Sequence, residues 1–129
     1  MNTTDIFRYI KERLESDSKI QEIVEDKIYP IAIMRNVKLP YIIQNAKLNA
    51  SSDTKDGAYE REITSTIAVF GENQDVPMQL ISEMERLFSG DVTKVGYLDV
   101  SDIKVNSWDF DEDDGVFGGM IELTIKIDV

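Results

Sequence analysis

The stretch Asp109-Phe110-Asp111-Glu112-Asp113-Asp114-Gly115 holds the densest set of side chains capable of chemistry. Carboxylates at 109, 111 and 113 alternate as the oxygen donors of a calcium loop do. That loop also needs a glycine at its sixth position and a glutamate at its twelfth, and here those positions are Asp114 and Met120. The segment therefore reads as a solvated turn that offers weak cation binding at most. Trp108 and Phe110, just before and within it, are candidates for a stacking platform. A single Trp near a strand end fits core or an oligomer interface better.

Other catalytic chemistry is poorly supplied. The chain has no histidine and no cysteine, which removes the commonest general base and the usual partner of a serine or cysteine nucleophile. Disulfides and thiolate chemistry go with them. Carboxylates are plentiful enough for acid–base work with a divalent metal, yet no spacing marks two of them as a pair. Gly118-Gly119 leads into a strand, so no helix N-terminus stands behind it to hold phosphate. The expectation is a binding or structural protein, not an enzyme, with no cofactor and no metal.

The charge narrows the partners. With 25 acidic against 14 basic residues, the net charge of the 129-residue chain is −11. Such a surface repels phosphates instead of neutralising them. It suits plain solubility, or a passage through which DNA slides without sticking. The polar start, Met1 to Asp5, and the charges at Lys11, Glu12 and Arg13 give no signal peptide, and no apolar run reaches membrane-spanning length.

These residues must be carried by something, and the periodicities say what. Ile63, Ile67 and Val69 against Thr64 and Thr66 predict a strand over Glu62–Phe70. Asp75 is placed to cap a following helix, Pro77 suits its first turn, and Val76, Leu80, Ile81, Met84, Leu87 and Phe88 form its apolar stripe. Gly90 is a natural stop. Upstream, Thr4 can cap a helix with Ile6, Phe7, Ile10 and Leu14 on one face. A short apolar turn follows at Ile20, Ile23 and Val24.

Ile28-Tyr29-Pro30 reads as extended, and Ile31 to Met34 as a short edge segment. Tyr41 to Ala50 is a strand with Ile42, Gln44, Ala46 and Leu48 on one row. Ser51 to Gly57 forms a protruding, mobile loop between it and the strand at 62, which pair antiparallel. Tyr97 to Phe110 alternates with two slips of parity, the mark of bulges or of a strand apolar on both faces. Ile121, Leu123, Ile125, Ile127 and Val129 alternate cleanly with polar residues. Residues 1–129 make one α+β domain. It has a mainly antiparallel four- to five-stranded sheet, with an N-terminal helix and a second helix at about 76–89 packed on one face.

Three features in sequence resemble a known family. They are Val24, Asp26, Lys27, Ile28, Tyr29 and Pro30; then Leu39-Pro40-Tyr41-Ile42-Ile43-Gln44; then Ala68-Val69-Phe70-Gly71 ahead of a helix. Their order is similar to that of the tail-completion proteins of long-tailed bacteriophages, also called tail-to-head joining proteins and akin to tail terminators. The likeness runs from about residue 4 to 90. Ser51 to Gly57 departs from the compact acidic stretch frequent in that family.

The resemblance implies a structural virion protein made in the bacterial cytoplasm. It would form a ring, a hexamer, at the end of the tail tube and join it to the head connector proteins, with DNA passing through unbound. On this reading Asp53, Lys55 and Asp56 are candidates for contact with a neighbouring subunit or the tail tube protein. Asp109, Asp111, Glu112, Asp113 and Asp114 are candidates for the channel wall. The alternative is a small cytoplasmic α+β ligand-binding or regulatory module.

Overall fold

The computed structural model describes residues 3–30, 36–48, 52–53, 59–89 and 99–128. Helices α1 (Thr3–Glu15) and α2 (Ser18–Val24) come first, then strands β1 (Ile28–Pro30), β2 (Tyr41–Leu48), β3 (Ser52–Asp53) and β4 (Tyr59–Gly71). Helix α3 (Asp75–Phe88) leads to a long hairpin of β5 (Val100–Asp113) and β6 (Val116–Asp128). The strands form one sheet in the order β1-β2-β4-β6-β5, with β3 beside β4. All pairings are antiparallel except that of β1 with β2. The α+β class, the N-terminal helix and the mostly antiparallel sheet agree with the sequence reading; parallel β1 makes the sheet mixed.

One sheet face carries the core. Ile42, Ile63, Ile67, Val69, Ile121, Leu123, Ile125 and Ile127 lie on it and are buried, together with Leu80, Ile81, Met84 and Phe88 of α3. From α1 come Ile6, Tyr9, Ile10 and Leu14. Tyr9 takes the place expected for Phe7, which is only half-buried. Gln44 sits on the core row and is 2% exposed, because its amide nitrogen donates to the Phe7 carbonyl at 3.1 Å and ties β2 to α1.

Helix ends differ from expectation in chemistry more than in place. The start of α3 is held by Asn73, whose Oδ1 accepts from the N–H groups of Asp75 (3.0 Å) and Val76 (3.3 Å). Asp75 is thus a capped residue and not the cap, since Asn73 reaches two orphan donors from a turn before the helix. Thr4 lies inside α1, which begins at Thr3. The helix α3 closes at Ser89 in an extended conformation, one residue before the expected glycine stop; Gly90 lies outside the described residues.

The largest correction concerns the acidic stretch. Asp109 to Asp113 are not a turn but the end of β5. Only Asp114 and Gly115 turn the chain, with φ of 51° and 80°. Positive φ at both central residues is what a two-residue type I′ hairpin demands, and Asp-Gly supplies it. Residues 116–120 are accordingly strand and not loop, and β6 starts five residues before the expected Ile121. Gly119 belongs to that strand because α3 approaches closely: a Cβ there would lie 3.1 Å from both Ile81 Cγ1 and Val69 Cγ2. The two expected parity slips are register shifts at Val100/Asp102 and Val105/Ser107.

The segment expected as a mobile loop is partly regular: Ser52 and Asp53 pair with Glu60 and Tyr59. Lys55 and Asp56 lie outside the described residues, as do Ile31–Met34 and Tyr97–Leu98.

Candidate interaction surface on the terminal hairpin

Strand alternation sorts the acidic residues. Asp109 stands opposite Met120 and Asp111 opposite Gly118 on β6, whereas Trp108 stands opposite buried Ile121 and Phe110 opposite Gly119. Trp108, Phe110 and Glu112 therefore share the helix-bearing side of the sheet. Asp109, Asp111 and Asp113 form a row on the helix-free side, about 7 Å apart. Among the described residues none of the five carboxylates from Asp109 to Asp114 forms an ion pair. No group of three metal-ligating side chains converges among them.

Among the described residues the backbone of β5 is also unpartnered on one side, because β5 ends the sheet that they form. Asp113 and Val116 close the two-residue turn, so they exchange both ladder bonds. Alternation then points the N–H and C=O of Glu112, Phe110 and Trp108 away from β6. The Glu112 N–H is taken by the Asp111 carboxylate at 2.8 Å. That leaves Trp108 and Phe110 with backbone groups that no other described residue takes.

The same two residues are apolar and exposed, at 52% and 42%, with ring centroids 5.5 Å apart. Of the two places expected for Trp108, core or oligomer interface, the core is thereby corrected: the ring stands at the rim of an open groove that Glu85 and Ser89 also line. Beside Phe110 runs a shallow groove lined by Pro77, Met78, Phe117, Asp111 and Glu112. Met78, half exposed, continues the apolar surface onto α3.

The helix-free face adds a second apolar zone. Register aligns Tyr29, Ile43, Ala68 and Met120 in one row ending at Asp109, and Tyr41, Phe70 and Gly118 in the next, ending at Asp111. Tyr41 and Phe70 have ring centroids 5.2 Å apart. Further along, the face turns polar at Asn45, Thr66 and Glu122.

One polar network was not legible beforehand. Asp17, 7% exposed, caps α2 through Oδ1, accepting from Lys19 N (2.9 Å) and Ile20 N (3.2 Å). Its Oδ2 accepts from Arg86 of α3. Arg86 also pairs with Glu83 at 2.6 Å, and Lys19 reaches Glu83 at 3.5 Å. The hydrogen bond from Arg86 holds the Glu83 carboxyl below its ordinary value, and Glu83 in turn raises Arg86. This network sews two helices together, and its Lys19 and Glu83 also line an open groove with Glu22, Ile23, Met78, Gln79 and Ser82.

Among the described residues the fold is a two-layer α+β module with one helix-free sheet face and an aromatic-bearing edge strand without a partner. Its backbone superposes on a chain of the virion of a native gene transfer agent particle with a TM-score of 0.79 and 8% identity. The match covers 93% of this chain and 92% of that one. At that identity the likeness is one of fold. No family model and no curated protein matches the sequence.

Proposed function

We propose that this protein is a structural component of a phage-like virion, a ring-forming tail-completion protein. It sits at the end of the tail tube, joins it to the head connector and leaves a channel for DNA. The observation that carries this reading is the fold shared, end to end, with a chain of a gene transfer agent virion. The open surfaces support it: a monomer leaves Met78, Trp108, Phe110 and Met120 exposed, and subunit or tube contacts would cover such residues. The net charge of −11 suits a passage that must not grip DNA. Asp53, Lys55 and Asp56, in and after β3, are proposed to contact the neighbouring subunit or the tube.

Electron microscopy of the purified protein, alone and mixed with tail tubes, tests this. Rings, and rings seated on tube ends, are the expected images. A fixed monomer or dimer at all concentrations that ignores tubes would favour the small cytoplasmic module instead.

A further inference from the structure

The edge of β5 poses a physical problem that none of the other described residues solves. Edge strands invite pairing with other chains, and proteins guard them with charge, bulges or a cover. Here the bulge at Val105/Ser107 guards the middle of β5, and the Asp111 carboxylate blocks one outward N–H. Trp108 and Phe110 are left with backbone groups that no other described residue takes and with exposed aromatic rings beside an apolar groove. Charge alone would guard this edge without any aromatic residue.

We propose that this edge takes up an extended segment of another protein as an added strand, and that the segment alternates apolar with basic side chains. The alternation follows from the two faces of β5. On the helix side, neighbours of an added strand would stand beside Trp108 and Phe110 and over Pro77, Met78 and Phe117, which calls for apolar residues. On the other side they would stand beside Asp109, Asp111 and Asp113, which calls for lysine or arginine. Main-chain bonds to Trp108 and Phe110 supply affinity, and the two rows supply specificity.

The charge selects against a second copy of the same hairpin. Residues 100–128 hold eight carboxylates against only Lys104 and Lys126, so paired tips repel. The hairpin carboxylates are thus assigned to a protein contact and not to the channel wall expected from the sequence. This inference stands on the edge geometry and does not require the ring reading.

Trp108 is the only tryptophan, so its emission reports on this site alone. The probe is the capped peptide Lys-Val-Lys-Ile-Lys-Val-Lys, added to the full-length protein. Saturable binding with a shift of Trp108 emission to shorter wavelength is expected, weakening as salt rises. N-methylation of the peptide amides that face β5 should weaken binding about tenfold while keeping charge and apolarity. Replacing Asp109, Asp111 and Asp113 together by Asn should weaken it about tenfold and remove most of the salt dependence.

Equal binding by the N-methylated peptide, or by one with glutamate in place of lysine, would overturn the proposal. So would an emission shift that follows protein concentration without peptide, which would give the edge to a second copy.

Discussion

Asp17 and Arg86, 69 residues apart in sequence, meet at 2.5 Å, and the carboxylate that receives the guanidinium also caps helix α2. One side chain therefore starts a helix and fixes that helix to α3. Asp17→Ala removes both functions at a site 7% exposed and should cost about 1–3 kcal/mol. Arg86→Ala should cost less, because Arg86 is 63% exposed and its pairs are screened. Urea midpoints at unchanged slope would check the order.

Glu83 gives the same region a pH dependence. Its folded pKa lies below the ordinary 4.5 because Arg86 bonds to the charged form. A depressed carboxylate adds stability that is fully present above the unfolded value and is lost as pH falls through the folded one. Glu83→Gln should therefore be slightly less stable than the parent at neutral pH. The gap between the two should close as pH drops from about 4.5 downward, measured as paired urea midpoints. A gap that widened in acid would contradict this sign.

Ile125 and Lys126 test the facing of β6. Ile125 is fully buried against the helices, whereas Lys126 is on the open face, 3.9 Å from Glu62. Ile125→Asp places an unpaired charge in the core and should cost about 3–5 kcal/mol, enough to unfold a marginal domain. Lys126→Asp should cost far less, about 1 kcal/mol or less, though it sets a carboxylate between those of Glu62 and Asp102. Thermal melts of the two variants decide the matter.

What could be read from sequence was what depends on local period. The alternation Ile121–Ile127 and the stripe Leu80–Phe88 named the core rows because burial on one face leaves that imprint directly. The hairpin tip misled because a run of Asp is usually turn, while Asp114-Gly115 alone satisfies the positive φ that the turn requires. The Asp17–Arg86 pair had no local signal beyond a capping residue in Ser16-Asp17-Ser18. The exposure of Trp108 depends on how α3 lies against the edge of the sheet, a tertiary fact with no sequence period.

Gly119 tests how closely α3 lies on that sheet. A Cβ at this position would come within 3.1 Å of Ile81 and Val69 and 3.2 Å of Phe110. Gly119→Val adds two further methyl groups in the same gap, so it should overpack the interface and cost about 1–3 kcal/mol. Gly118→Ala, on the open face with its nearest neighbour at 3.5 Å, should be tolerated. Comparable losses at both positions would mean that α3 does not seat on β6 as described.

Lysine at Asp109, Asp111 and Asp113 separates the two assignments of the hairpin carboxylates. All three are exposed strand residues, so the variant should fold with a melting temperature close to that of the parent. If the row meets a basic strand, three lysines turn attraction into repulsion. Binding of the alternating lysine peptide should then vanish, and the glutamate peptide should bind in its place. If the row lines a DNA passage, the variant should gain DNA binding that falls steeply with salt, since each new cation releases a counterion. The edge geometry favours the first outcome, because Trp108 and Phe110 contribute nothing to a wall that must only repel. Fluorescence titration with both peptides, alongside a DNA titration at two salt concentrations, reads both arms on one preparation. Gain of salt-sensitive DNA binding with no exchange of peptide preference would return these carboxylates to the channel and leave the edge of β5 without its proposed partner.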